Sequence, residues 1–271
     1  MDLTNLKFSS SVIAVYAVTG ALMILLAVTG FLLWKKRTDA PLKPILTGAA
    51  VFLLFALVLK AIPSYPLVAA DNAVSRTINT TPWLYYLTGG LMAGIFEETG
   101  RFLAFKTVLK SHTKRRTALD YGVGHGGFEL LYVGITTASI VAMGIIVNSS
   151  GAEALLKDLP DWMLPTAEKQ LQRYAASTVL TLLFGLVERI SAVMLQIGLS
   201  VLVYRAARDR KAIWLYPAAV LLHTAIDFSL IIAEEHPYLT EAMLLVCALT
   251  LLLIAVKIVY PHTPEKEEGS T

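Results

Sequence analysis

The chain has 271 residues, of which 56% are hydrophobic and only 16% are charged. Soluble domains usually carry about 25% charged residues, so this composition argues against a soluble enzyme and indicates a membrane protein. The formal net charge of +3 is too small to indicate nucleic-acid binding. A single cysteine, Cys247, excludes an intramolecular disulfide and a metal site built from paired cysteines.

Seven apolar stretches are long enough to cross a hydrocarbon core of about 30 Å, which needs about 20 residues of helix. They predict an all-α polytopic membrane protein with spans near residues 10–34, 42–62, 82–109, 119–148, 174–204, 212–233 and 238–260. The first stretch lacks a clear cleavage signal and is interpreted as a retained anchor helix. Lys60 lies close to the end of the second stretch, so its side chain is expected to reach the membrane interface.

Basic residues in alternate loops predict the orientation. Lys and Arg cluster after the first, third and fifth stretches, whereas the other loops carry few of them. This pattern places the N-terminus outside and the C-terminus in the cytoplasm. Residues 149–173 are expected to form short amphipathic pieces on the outer surface. We predict one transmembrane domain over residues 1–260, followed by a disordered polar tail at 261–271.

Nine ionisable residues lie inside the third to sixth predicted helices, at about residues 82–233. They are Glu97, Glu98, Arg101, His125, Glu129, Glu188, Arg189, His223 and Asp227. Charges in hydrocarbon are costly and usually functional, so this number indicates one functional centre. Glu188 and Arg189 also fit a self-compensating structural ion pair. Four glycines, at 122, 124, 126 and 127, are typical of a close helix-packing face.

Helical spacing predicts which of these side chains face the bundle interior together. Three pairs lie four residues apart and therefore share a helix face: Glu97 with Arg101, His125 with Glu129, and His223 with Asp227. Glu97 and Glu98 are about 100° apart around the helix axis, so they cannot point the same way. One of them is expected to face a cavity while the other pairs with Arg101.

This set of residues matches the chemistry of peptide hydrolysis. Hydrolysis needs a base for water, donors for an oxyanion and a proton for the leaving amine. Two histidines and a carboxylate also satisfy a catalytic zinc site, for which His125, His223 and Glu129 are the candidate ligands. No HExxH sequence is present, which favours a metal-free mechanism. The cofactor is therefore undecided between none and zinc.

The order Glu-Glu-x-x-Arg, a membrane histidine and then His-x-x-x-Asp resembles the CPBP/ABI superfamily of intramembrane proteases. That superfamily includes the CAAX prenyl endopeptidases and lies near the PrsW proteases. The chain is most similar to its YhfC family of bacterial membrane proteins. Two departures are visible. Only Thr99 and Gly100 separate the glutamate pair from the arginine, where the CAAX group has three residues. His125 is followed by an extra carboxylate, Glu129, which leaves room for a metal.

The resemblance implies a catalytic set consisting of Glu97, Glu98, Arg101, His125, His223 and Asp227. In this set Glu97 is the expected water-activating base, supported by Glu98 and Arg101. His223 and Asp227 are expected on the oxyanion side, and His125 positions water or a metal. Second-tier candidates are Glu129, Glu188 and Arg189.

The sequence therefore predicts an intramembrane endopeptidase of the bacterial plasma membrane. Its expected partners are the lipid bilayer and a membrane protein or peptide substrate, with no nucleic acid. The alternative within the enzyme class is a zinc-dependent metalloprotease that uses the same histidines and glutamates. The alternatives from other classes are a proton-coupled transporter and a non-catalytic membrane scaffold.

Overall fold

A computed structural model describes residues 6–265, and every regular element in that range is helical. The helices are α1 (Ser10–Thr38), α2 (Leu42–Ala69), α3 (Ala73–Thr80), α4 (Pro82–Lys106), α5 (Arg116–Ser150), α6 (Glu153–Leu156), α7 (Leu164–Ala175), α8 (Val179–Arg208), α9 (Arg210–Ala233) and α10 (Pro237–His262). The predicted all-α polytopic class is confirmed.

Six helices in the described range are long and apolar enough to cross a membrane, namely α1, α2, α5, α8, α9 and α10. The sequence predicted seven, and α4 is the difference. With 25 residues it is about 37 Å long, which is sufficient, but it carries Glu97, Glu98 and Arg101 and so is less apolar than the other six. The predicted count of seven is therefore one too many by this criterion. The N-outside, C-inside orientation, which needs an odd number of spans, stays a prediction.

Residue contacts divide the chain into two compact units. The first contains residues 1–29 and 130–189, and the second contains residues 30–129 and 190–271. A single domain over residues 1–260 stays a prediction. Of the predicted polar tail, residues 266–271 lie outside the described range. Arg115 contacts the described part of that tail, donating to the Pro261 carbonyl at 3.1 Å.

The first unit is built on a hydrophobic core that includes Phe8, Val147 and Leu171. Its helix α7 is amphipathic, because it buries Leu171 while leaving most of its polar residues at the surface. Helices α6 and α7 fall within or next to the predicted amphipathic segment 149–173. Their location on the outer surface of the membrane stays a prediction.

The second unit depends on close contact between α4 and α9. A Cβ atom at Gly94 would lie 2.7 Å from the Val220 carbonyl oxygen, and one at Gly90 would lie 2.7 Å from the Thr224 carbonyl oxygen. Any side chain at these positions would therefore push the two helices apart. The glycines bring α4 to α9 at van der Waals distance, and this approach places Glu98 beside His223.

Glycines also set the position of α5 in the second unit. Gly122 and Gly126 face α8, and Gly124 lies against the backbone of Ile45 in α2. Nothing lies within 4 Å of a Cβ built on Gly127. Three of the four glycines therefore make close helix contacts, on two sides of α5 instead of one face, and they hold α5 between α2 and α8.

Candidate active site

A buried polar cluster lies in the second unit and links seven of the nine ionisable residues selected from the sequence. Its members are Glu97, Glu98, Arg101, His125, Glu129, His223 and Asp227, together with Lys60 and Gln196. Glu98, Arg101 and His125 are fully buried, with 0% exposure. Buried charges without partners are very unfavourable, so the contacts within the cluster determine which arrangement is stable.

Glu97 and His125 form the first contact of the cluster. The Nε2 atom of His125 lies 3.2 Å from Oε2 of Glu97. Two aromatic rings fix the imidazole: Phe52 packs edge-on at a centroid distance of 5.4 Å, and Tyr121 stacks at 5.9 Å. The other ring nitrogen of His125, Nδ1, is buried and has no hydrogen-bond partner among residues 6–265. The described protein atoms alone therefore do not satisfy this imidazole.

Gln196, on α8, joins three charged side chains through one amide. Its Nε2 donates to Oε2 of Glu97 at 3.1 Å and to Oε2 of Glu129 at 2.9 Å. Its Oε1 accepts a hydrogen bond from Nη2 of Arg101. Gln196 is not ionisable and is therefore absent from the candidates predicted from the sequence. A polar amide in the interior of an apolar helix is the signal that identifies such a residue.

Glu98, rather than Glu97, forms the ion pair with Arg101. Nη1 of Arg101 donates to both carboxylate oxygens of Glu98, at 2.9 and 2.7 Å. Nδ1 of His223 lies 2.8 Å from Oε1 of Glu98. On its other side, Nε2 of His223 lies 3.8 Å from Oδ2 of Asp227, which is beyond hydrogen-bond distance. The expected division of the two glutamates is therefore present, with Glu98 paired to the arginine and Glu97 turned to His125.

Lys60 belongs to the cluster, and its expected position at the membrane interface is wrong. Its Nζ lies 3.9 Å from Oε1 of Glu97, and its side chain is 29% exposed. The physical reason is the length of α2, which continues to Ala69 instead of ending near residue 62. Lys60 is thus an interior residue of that helix. It directly follows the π-helical turns of Phe52–Leu59, which change its angular position relative to a regular α-helix.

Three side chains have the spacing of metal ligands. Glu97, His125 and Glu129 each offer one ligand atom, and these atoms all lie within 4.8 Å of one another. The predicted ligand set had His223 where the structure has Glu97. His223 instead contacts Glu98, which points about 100° away from Glu97 around α4. Two carboxylates and one imidazole suit a catalytic zinc site, which commonly takes three protein ligands and keeps one position open.

Glu188 and Arg189 lie in the first unit and form an ion pair with each other. They line a cavity of about 670 Å³, which also contacts Tyr16 and Arg173. This pairing fits the structural interpretation of the two residues. Their role as second-tier site residues stays a prediction.

Comparison with known sequences identifies the family. A profile of the YhfC intramembrane metalloprotease family matches residues 22–249. The chain belongs to this family. It is also 32% identical over 255 residues to a protein of Bacillus subtilis (strain 168) named "Uncharacterized membrane protein YhfC", covering 91% of this chain and 96% of that relative. No solved structure matches. The resemblance to YhfC proteins is confirmed, as is a multi-pass membrane protein consistent with the bacterial plasma membrane.

Proposed function

We propose that this protein is a metal-dependent intramembrane endopeptidase in which Glu97, His125 and Glu129 hold a divalent metal ion, with zinc as the first candidate. The observation that carries the proposal is the mutual approach of their three ligand atoms to within 4.8 Å. The name of the family, intramembrane metalloprotease, supports it. When bound at such a site, a metal ion activates water and polarises the scissile carbonyl group.

The carboxylates of the buried polar cluster also support a cation. Those of Glu97, Glu98, Glu129 and Asp227 lie in the cluster together with the cations of Lys60 and Arg101. Buried carboxylates are paired or coordinate metal ions. The proximity of Glu97 and Glu129 therefore suits a bound divalent cation.

The protein groups around the three ligands would hold them in place. His125 must be neutral to bind a metal, and Phe52 and Tyr121 fix the plane of its ring. Gln196 orients the carboxylates of Glu97 and Glu129 through its amide hydrogens. Such outer contacts commonly control the affinity and orientation of metal ligands.

Outside the ligand set, His223 and Lys60 are the groups suited to act on the substrate. Glu98 accepts a hydrogen bond from Nδ1 of His223. When His223 is protonated, its Nε2–H, 3.8 Å from Oδ2 of Asp227, can donate a hydrogen bond to the developing oxyanion. The hydrogen bond to Glu98 keeps the imidazole oriented, and the carboxylate of Asp227 lies near Nε2. The ammonium group of Lys60 lies 3.9 Å from Oε1 of Glu97 and places positive charge beside that carboxylate. Protonated Lys60 or His223 can supply the proton that the leaving amine requires.

A second candidate mechanism uses Glu97 itself as the base, without metal. The contact of 3.2 Å between Glu97 and His125 favours it, because a carboxylate held by an imidazole is positioned to accept a proton from water. The absence of an HExxH sequence favours it as well. In this version His125 orients Glu97, and the purified protein contains no stoichiometric metal.

Mass-spectrometric mapping of new peptide termini in bacterial membranes tests the endopeptidase assignment without a known substrate. Expression of the wild type should produce termini within or next to membrane-spanning segments. Glu97→Gln should abolish them under both mechanisms, because it removes a metal ligand or the base while keeping the side-chain shape. Glu153→Gln, at an exposed position of α6, is the matched control and should cleave as the wild type does. Identical termini from the wild type and Glu97→Gln would contradict the proposal, as would the absence of termini that depend on the wild type.

A further inference from the structure

A concave surface lies in the second unit, along α8, α9 and α10. It is a groove of about 640 Å³, and none of the described residues that line it belongs to the buried polar cluster. Most of its wall is apolar, and several wall residues are widely exposed, among them Leu222 at 41% and Val246 at 62%. Within a bilayer, surfaces of this kind contact hydrocarbon chains.

One end of the groove is polar, where the chain passes from α8 to α9. Arg205, Asp209 and Lys211 line this end. Asp209 is already engaged, because its carboxylate accepts a hydrogen bond from the backbone N–H of Lys211 at 2.9 Å. Among residues 6–265, neither Arg205 nor Lys211 has an ion-pair partner. The Nε atom of Arg205 is buried and makes no hydrogen bond within that range.

The neighbouring Arg208, in contrast, has a structural role in this segment. Its guanidinium group donates to the backbone carbonyls of Leu109, Lys110 and His112, at 2.6 to 3.2 Å. It therefore ties α8 to the segment that follows α4. Arg205 and Lys211 make no such contacts in the described range, so a structural role in the fold does not account for their charges.

An amphipathic ligand with an anionic head and an apolar chain matches both ends of the groove. Arg and Lys are the residues that bind phosphate oxygens. Basic pockets between transmembrane helices bind anionic lipid head groups, and the surface of the cytoplasmic leaflet is negatively charged. The loop at 205–211 is one of those predicted to be cytoplasmic. Trp214 lines the same end and is 62% exposed, as is common for tryptophan at the membrane interface.

We propose that this groove binds one anionic phospholipid, with an acyl chain along α9 and α10 and the phosphate between Arg205 and Lys211. The site is independent of the proposed peptidase activity. It also has a consequence for α9, because Leu222 and Ile226 line the groove directly beside His223 and Asp227 in sequence. A bound lipid would therefore brace the helix that carries two residues of the buried polar cluster.

Native mass spectrometry of the purified full chain, titrated with phosphatidylglycerol or with phosphatidylcholine of the same acyl chains, tests this inference. The wild type should bind one phosphatidylglycerol more tightly than phosphatidylcholine. Replacing both cations, in Arg205→Gln with Lys211→Gln, should lower the affinity for phosphatidylglycerol by about 30-fold. Arg210→Gln is the matched control, because Arg210 is an exposed neighbour outside the groove lining and should keep the wild-type affinity.

Lys211→Gln alone provides a milder variant, since Lys211 is exposed and its replacement leaves the helix contacts intact. It should reduce the preference for phosphatidylglycerol without changing the thermal stability in phosphatidylcholine. Equal binding of the two lipids by the wild type would overturn the inference and indicate only non-selective surrounding lipid. A dimer that covers the groove and excludes lipid would overturn it as well.

Discussion

At the scale of single residues, Gln196 determines how the charges of the buried polar cluster are arranged. The Nε2 atom of its amide donates to Glu97 and Glu129, and the Oε1 atom accepts a hydrogen bond from Arg101. A carboxylate in its place would add a fifth acid, and an apolar residue would leave three charged groups with fewer partners. The residue therefore allows two glutamates to lie close together inside the membrane protein.

Gln196→Leu is the substitution that tests this role. Because it removes one hydrogen bond from each of three buried charged groups, we expect the free energy of unfolding to fall by roughly 2–3 kcal/mol. We also expect metal affinity to fall by about 10- to 100-fold, as for other groups that hold metal ligands. Thermal unfolding in detergent and metal titration measure the two effects. Gln170→Leu, at an exposed position of α7, should change neither, and a Gln196→Leu protein as stable as the wild type would contradict the assigned role.

The sequence identifies most residues of the cluster because their charges are exceptional inside apolar helices. Helical spacing also explains the division between Glu97 and Glu98. It did not identify the partner of His223, which was expected on the oxyanion side or as a candidate metal ligand and contacts Glu98. Spacing relates residues on one helix, whereas ligand sets depend on how different helices approach one another. Lys60 was expected at the membrane interface for the same reason, because its partner Glu97 lies on another helix. Gln196 was missed because it is not ionisable.

At the scale of helices, glycines decide which elements can touch. Gly94→Ala adds a methyl group that would meet the Val220 carbonyl oxygen at 2.7 Å, so α4 and α9 must separate. We expect a loss of roughly 1–3 kcal/mol in the free energy of unfolding, the usual effect of overpacking. Cleavage should also weaken, because Glu98 and His223 lie across this contact.

Gly89→Ala supplies the control for this substitution. Nothing lies within 4 Å of a Cβ atom at Gly89, which is in the same helix. Alanine favours helix over glycine by about 1 kcal/mol, so this variant should be as stable as the wild type or slightly more stable. Thermal unfolding of both variants in the same detergent makes the comparison. If both variants lost the same stability, the loss would not come from the contact between α4 and α9, and the account of Gly94 would be contradicted.

The apolar stretches of the sequence predict where the helices lie. They do not predict where each helix ends or which helices pack against each other. The predicted second stretch ends at residue 62, yet α2 continues past Pro63 and Pro66 through π-helical turns to Ala69. Proline removes a backbone donor, and a wider turn accommodates that loss. The packing of α4 against α9 could not be predicted from the sequence of either helix. Small residues indicate that a helix packs closely against another one, but they do not indicate which one.

At the scale of the whole molecule, the crossing of α4 decides the topology. If α4 spans the membrane, as predicted, reporter fusions after Lys43, Ser111 and Lys211 should be cytoplasmic. Fusions near Asn79 and Leu159 should then be external. The basic loops support this arrangement, because positive residues stay on the cytoplasmic side. If only the six more apolar helices cross the membrane, the reporter after Ser111 should be external and the one near Leu159 should be cytoplasmic. A cytoplasmic reporter at Leu159 would therefore contradict the seven-span prediction.

The metal content of the purified full chain tests the central claim most directly. Mass-spectrometric metal analysis should find a stoichiometric divalent ion, with zinc tested first, in the wild type. His125→Ala and Glu129→Gln should both lose it, since each removes one of three ligands. His236→Ala replaces an exposed histidine before α10 and should retain the ion. A wild-type protein that cleaves membrane substrates while holding no stoichiometric metal would contradict the account and favour Glu97 acting on water alone.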